Sequence, residues 1–367
     1  MAFFLSIFFL LFSVIAYADP VTLKQFFLDT KDNVGSLIEN KSLNIEAEVG
    51  TSDLKQRPLK LLQSQNEKAS VPTAGTPYSN SLGGWGEIGG IGVGYKMNPE
   101  SEIKVSFESF NFETKNLYNL QAGNSATGNP SATTLVPFID GSTRSSQQAA
   151  EVGGQANTPG AQGDIAFKYE NADQHVNLDY SQLLLTHGQA KVNGIVGLGY
   201  AYFDQNSSIQ TNAIDVDNGN PSSSYTYEDL TDNLVGLRLG LEGKDEINSY
   251  VLDSSVIGSF FYRRTNFDGY QHFTNSSLPF TGSPSNFSTS VTNSKDAFTS
   301  CLEGKWGIIK KFKYVDVGVF YVVDVWFNMS TIVNPTVSYT THDVIDHPAR
   351  IGNDNTIFNS IMVKVSF

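Results

Sequence analysis

Two short clusters carry residues that could bind a metal. Asp215-Val216-Asp217-Asn218-Gly219-Asn220 offers oxygen ligands at calcium-loop spacing, with Asp215 and Asp217 as its charged members. The run lacks the distal bidentate glutamate of an EF-hand, and Asp, Asn and Gly are also ordinary turn residues. His342, Asp343, Asp346 and His347 could ligate zinc or supply a general base. Two histidines five apart on a loop define no ligand geometry, so this cluster reads as polar surface. The five histidines (His175, His187, His272, His342 and His347) form no Ser-His or paired-acid arrangement. No catalytic residue and no cofactor site is assigned, and the chain reads as a non-enzyme. Cys301 is the sole cysteine, which excludes an intrachain disulfide and fits a buried small hydrophobe.

A larger set of charged side chains has a different logic. Lys104, Asp179, Lys191, Arg238, Glu242, Asp253, Arg263, Glu303, Asp316, Asp324 and Lys364 sit in alternating stretches, opposite faces of Val, Leu, Ile and aromatics. Charge is prohibitive against lipid but normal inside a barrel, where water or a partner satisfies it. These residues are therefore the candidate lining of a pore. The net charge of −13 argues against nucleic acid or anionic lipid as partners and gives such a pore a modest cation preference.

The elements that must position these residues are strands. Successive strand side chains point to opposite faces. In 356–367, Ile357, Ile361, Val363, Val365 and Phe367 share one face, and Ser360, Met362, Lys364 and Ser366 the other. Leu43 to Gly50 sets Leu43, Ile45, Ala47 and Val49 against Asn44, Glu46 and Glu48. The same period marks 87–97, 103–112, 164–185, 191–203, 234–242, 250–264, 298–306 and 315–328. Tight connections are expected at 98–101, 186–189, 243–248 and 308–311, alternating with long polar loops that include 51–82, 115–161 and 267–293. Aromatics near strand ends (Trp85, Tyr95, Tyr200, Tyr202, Tyr262, Trp306 and Phe327) suit the girdles of a membrane barrel.

Residues 1–18 carry the apolar run Phe8 to Phe12 and end in Ala16-Tyr17-Ala18, the pattern of a cleaved signal peptide too short to span a bilayer. The expected organisation is a signal peptide at 1–18, a periplasmic segment at 19–41 and a barrel at 42–367. The fold class is all-β: a transmembrane antiparallel up-and-down β-barrel of about ten strands, with eight or twelve also compatible. Its turns should be short on the periplasmic side and its loops long outside, in a bacterial outer membrane. The last strand should close the ring against Leu43 to Gly50. About ten strands lie near the size at which side chains fill the interior, so any pore should be narrow. Lumen glycines (Gly92, Gly94, Gly197, Gly199, Gly236, Gly240 and Gly318) are expected to widen it somewhat.

Several segments resemble one family. "VGLRLGLEGK" at 235–244, "SSVIGSFFYRR" at 254–264, "GIVGLGYAYFDQ" at 194–205 and "VDVGVFYVVDVWFN" at 315–328 are similar to the Legionella-type major outer membrane proteins, pore-forming outer-membrane barrels. The likeness runs through 43–367 in element order and does not extend to the loops. It implies a pore without catalytic residues. Phe367 resembles the terminal signal through which barrel-assembly machinery receives its substrates. The leading expectation is a narrow porin-like or structural surface protein. The alternative is an adhesin or host-contact protein using its long loops, with a barrel hydrolase third.

Overall fold

The computed structural model describes residues 43–55, 59–68, 71–73, 77–80, 84–120, 131–144, 149–153, 161–215, 220–277, 284–335 and 347–367. The expected signal peptide and periplasmic segment lie outside them. The described strands are β1 (Leu43–Lys55), β2 (Leu59–Lys68), β3 (Val71–Thr73), β4 (Pro77–Asn80), β5 (Gly84–Asn98), β6 (Ser101–Leu120), β7 (Ser131–Pro137), β8 (Ala149–Gly153), β9 (Ala161–His187), β10 (Ala190–Asp215), β11 (Pro221–Ile247), β12 (Tyr250–Ser277), β13 (Pro284–Lys311), β14 (Asp316–Val333) and β15 (Arg350–Ser366).

Ten of these, β1, β5, β6 and β9 to β15, pair antiparallel in sequence order. The ring closes where β1 meets β15, with Glu48 opposite Lys364 and Val49 opposite Val363. Closure pairs each of the ten strands with a neighbour on both sides in the short-turn half, which a sheet crossing lipid requires. The expected register is observed: Lys364 is buried toward the lumen, while Ile361, Val363 and Phe367 are exposed.

The outer face carries an apolar band in the half nearer the short turns, with only scattered exposed hydrophobics such as Leu117 and Ile214 beyond it. On β11 it runs Val235, Leu237, Leu239, Leu241, each more than half exposed to the outside. A two-residue turn at Gly188-Gln189 joins β9 to β10, and Asn248-Ser249 joins β11 to β12. Gly188 and Asn248 both take positive φ (62° and 58°), the left-handed conformation that glycine and asparagine tolerate best.

The strands are longer than the alternation of apolar residues suggested. β11 and β12 have 27 and 28 residues, whereas about 9–11 suffice to cross a bilayer. At about 3.3 Å per residue and a tilt of about 40°, they rise about 70 Å against an apolar band of about 25 Å. The wall therefore continues far past the band. Much of 267–293 and the start of 115–161, expected as loop, is paired strand. The expected loop 51–82 contains the end of β1 and strands β2 to β4. Residues 243–247 and 308–311, expected as turns, belong to β11 and β13, and the last short connection is 312–315. The reason is that beyond the band the outer face meets water, so a paired strand there needs no apolar stripe.

Candidate functional site

The lumen is layered. In the short-turn half, β1, β6, β9 and β11 to β15 place charged residues on their inward faces. Lys364 Nζ lies 2.8 Å from Glu46 Oε2, which also accepts from Lys104. Lys305 Nζ donates to both oxygens of Glu48 at 3.0 Å. Arg238 bridges Asp179 (3.2 Å from Nε) and Glu303 (3.4 Å from Nη2). Glu242 receives Lys244 at 2.9 Å and the Asn193 amide at 3.1 Å. Lys305 and Lys364 also lie over the Phe320 ring, 4.7 and 5.5 Å from its centroid.

These walls surround a chamber of about 180 Å³, room for on the order of ten waters. Nine carboxylates line it (Glu46, Glu48, Glu102, Glu108, Asp179, Glu242, Asp253, Glu303 and Asp324) against five bases (Lys104, Arg238, Lys244, Lys305 and Lys364). Exposure falls along β11 from 40% at the Lys244 side chain to 23% at Glu242 and 8% at Arg238, so the chamber opens toward the short turns.

Eight of the eleven expected lining residues meet here: Lys104, Asp179, Arg238, Glu242, Asp253, Glu303, Asp324 and Lys364. Lys191 and Asp316 do not; they stand beside the short turns, where β10 and β14 begin. Arg263 faces inward but lies outside the chamber. Several of the glycines leave no open space in the lumen, because neighbouring side chains occupy it. A Cβ on Gly199 would fall 3.0 Å from the Phe261 ring and 3.1 Å from the Arg238 stem. Asp179 fills the place beside Gly197, and Glu102 that beside Gly94.

An aromatic layer closes the chamber on the other side. Trp326 stacks on Phe261 (centroids 5.4 Å, 26°) and meets Phe203 edge-on at 5.0 Å. His175 packs against both Phe203 and Trp326, at 5.3 and 5.4 Å. Cys301 is buried beside Trp326, its partner across β13 and β14, as the sole thiol was expected to be.

Above this layer lies a dry polar belt. Arg263 is fully buried, donating to the Asn328 carbonyl and, at 3.0 Å, to Asn353 Oδ1, with Asp232 3.8 Å from its Nε. Asp232 also accepts from Thr265 at 2.5 Å and from Ser330.

The mouth farther from the short turns is filled by residues 136–144, the end of β7 and the start of its connection to β8. Phe138, fully buried, packs edge-on against Phe273 (5.7 Å) and Phe287 (5.4 Å). The Gln271 amide clamps the segment, donating to the Pro137 carbonyl at 3.0 Å and accepting from the Ile139 N–H at 3.2 Å. Ala349 N–H donates to the Ile139 carbonyl at 2.7 Å, and Arg144 covers Phe287 at 4.9 Å. This plug was missed in the sequence; the apolar run Leu135 to Ile139 inside a Gly/Ser/Ala-rich stretch was its one signal.

The other candidates fare differently. Asp215 ends β10, whereas Asp217, His342, Asp343 and Asp346 lie outside the described residues. Among the described residues no group of three or more His, Cys, Asp or Glu could hold a metal. His347 is half-buried, its Nδ1 2.9 Å from the Pro348 carbonyl. His272 contacts Ser288 Oγ at 2.9 Å and Thr274 Oγ1 at 3.3 Å, so hydroxyls meet both ring nitrogens, and among the described residues no carboxylate orients the imidazole as a nucleophile's base needs.

No protein-family model and no curated protein matches the sequence. Among solved structures, the chain is similar in fold to the outer membrane protease OmpT of Escherichia coli, with 10% identity, TM-score 0.42, and 89% of this chain and 96% of that chain covered. It is also similar to a major outer membrane protein of Thermus thermophilus (9%, TM-score 0.28, 88% and 99% covered). A FadL homologue of Pseudomonas aeruginosa matches at 6% identity and TM-score 0.23, with 89% and 90% covered. None of the three lends a residue or an activity to this chain.

Proposed function

We propose that the chain is a bacterial outer-membrane barrel that acts as a narrow, cation-preferring pore, closed in the conformation described. The observation that carries this reading is the chamber, whose nine carboxylates face five bases and which opens toward the short turns. A surplus of acid in a hydrated, low-dielectric passage favours cations and disfavours anions. The aromatic layer and the 136–144 plug are the two barriers that conduction has to pass. In this reading the short turns face the periplasm, the long wall projects outside, and the protein reaches the membrane after cleavage near Ala18. The strand ending at Phe367 is its handle for the assembly machinery, and membership of the Legionella-type major outer membrane protein family fits the same picture.

Planar-bilayer recording tests the pore. The intact protein should show rare, small, cation-selective events, and deleting 136–144 should make them frequent. Absence of conductance in both proteins would overturn the reading. A second reading, surface contact through the projecting wall, is favoured by the length of β11 and β12 beyond the apolar band and by β2 to β4 and β7 on the same side. Loss of cell binding on deletion of 59–80, with no conductance in the intact protein, would favour it over the pore.

A further inference from the structure

The inner end of the chamber holds polar atoms that the protein leaves unused. His175 Nε2, Asp324 Oδ1 and Trp326 Nε1 are buried without a hydrogen-bond partner, and all three residues line the chamber. No other buried, unpartnered side-chain atom among the described residues belongs to a residue of that lining. Trp326 is 3% exposed, and its ring lies 5.4 Å from that of His175, which reaches it from β9 on another part of the wall. Asp324 precedes Trp326 by two residues and shares its inward face. Buried polar groups in folded proteins nearly always find partners in the protein, in water or in a ligand, so these three of the fourteen such atoms among the described residues call for a partner from the chamber.

The chemistry of the orphans defines that occupant. An indole N–H only donates, so it requires an acceptor oxygen. A carboxylate oxygen only accepts, so it requires an N–H or O–H donor. The imidazole nitrogen serves either kind of group. Glu108 lies 3.8 Å from the other ring nitrogen of His175, and Glu303, opposite Asp324, shares Arg238 with Asp179. The surplus of acid selects a cation and repels a carboxylate or phosphate. A metal ion offers no acceptor to Trp326.

We propose that the inner end of the chamber binds a small hydroxylated amine, its ammonium on Asp324 and its hydroxyl oxygen on the Trp326 indole N–H. This inference rests on the reading that the lumen is the working part of the barrel. The test uses the protein's own fluorescence. Trp85 and Trp306 are exposed on the outer wall, so the W85F/W306F variant leaves Trp326 as the sole tryptophan, inside the site. Titration with ethanolamine and with glucosamine should give a saturable change in emission. Asp324→Asn should weaken it at least about tenfold, the size of one lost charge-assisted hydrogen bond. Glucose, which lacks the charge, and tetramethylammonium, which lacks the oxygen, should bind far more weakly. Absence of a saturable response to either amine, as in a chamber holding water alone, would overturn the proposal. So would an equal response to glucose, or full affinity in D324N. Gel migration before and after heating verifies that each variant is folded, and E108Q replaces D324N if the latter is not. Conductance is read separately, so a conducting barrel that binds no amine defeats this inference and leaves the pore standing.

Discussion

The two halves of the lumen handle charge in opposite ways. Near the short turns, acids and bases crowd a chamber that water enters, and Lys104, Lys244 and Glu108 keep part of their surface wet. Beyond Trp326, the Arg263 guanidinium sits at zero exposure among Asp232, Asn328 and Asn353, with hydrophobic rings farther on. Pairing in the first half can be exchanged for hydration. In the second half it cannot, because nothing replaces a lost partner. One barrel thus joins a soluble-like vestibule to a solid protein core, and the boundary between them is the layer of Phe203, Phe261 and Trp326.

That contrast can be broken most severely at Arg263. Arg263→Leu leaves Asp232 buried without its counter-charge and should cost about 3–5 kcal/mol, read as a lower urea midpoint in detergent micelles. A loss below about 1 kcal/mol would place water in the belt. Phe138→Ala comes next. It should remove about 3 kcal/mol from the plug alone, seen as faster hydrogen exchange in 136–144 while the midpoint of the ring stays unchanged. Equal loss across the ring would make the plug part of the barrel's cooperative unit. Lys305→Met should have the smallest effect on stability, about 1 kcal/mol, since Glu48 keeps Lys364 at 4.0 Å and the chamber's water. It should also raise cation selectivity, measured as a shifted reversal potential. A loss as large as that at Arg263 would erase the distinction between the halves.

The wall within the membrane band was legible because lipid imposes a strict rule: Val235, Leu237, Leu239 and Leu241 must face out, which sends Gly236, Arg238, Gly240 and Glu242 inward. Closure of β15 on β1 followed from the same rule. Outside the band the rule lapses. Gln205 to Ala213 and Ser222 to Thr226 are mostly hydroxyl, amide and small groups, with Ile209 and Tyr225 the only large hydrophobics among them, so their pairing is visible in the register of neighbouring strands and not in the residues themselves. Inward charge was legible too, but not its partners. Glu46 and Lys104 are 58 residues apart, and Glu48 and Lys305 are 257 apart, contacts that only the ring brings together. Glycine misled for a related reason: Gly199 signals space, and only the fold reveals that Phe261 and Arg238 use it.

Cys301 offers the most direct measurement of the central claim, that the lumen is open to water from the short-turn side and sealed from the other. It is the sole cysteine, 8% exposed, and lines the chamber just below Trp326. In vesicles carrying the barrel in one orientation, a membrane-impermeant cationic methanethiosulfonate should modify Cys301 when added on the short-turn side and leave it untouched from the opposite side. Equal rates from both sides, or modification only from the side of the long wall, would contradict the account.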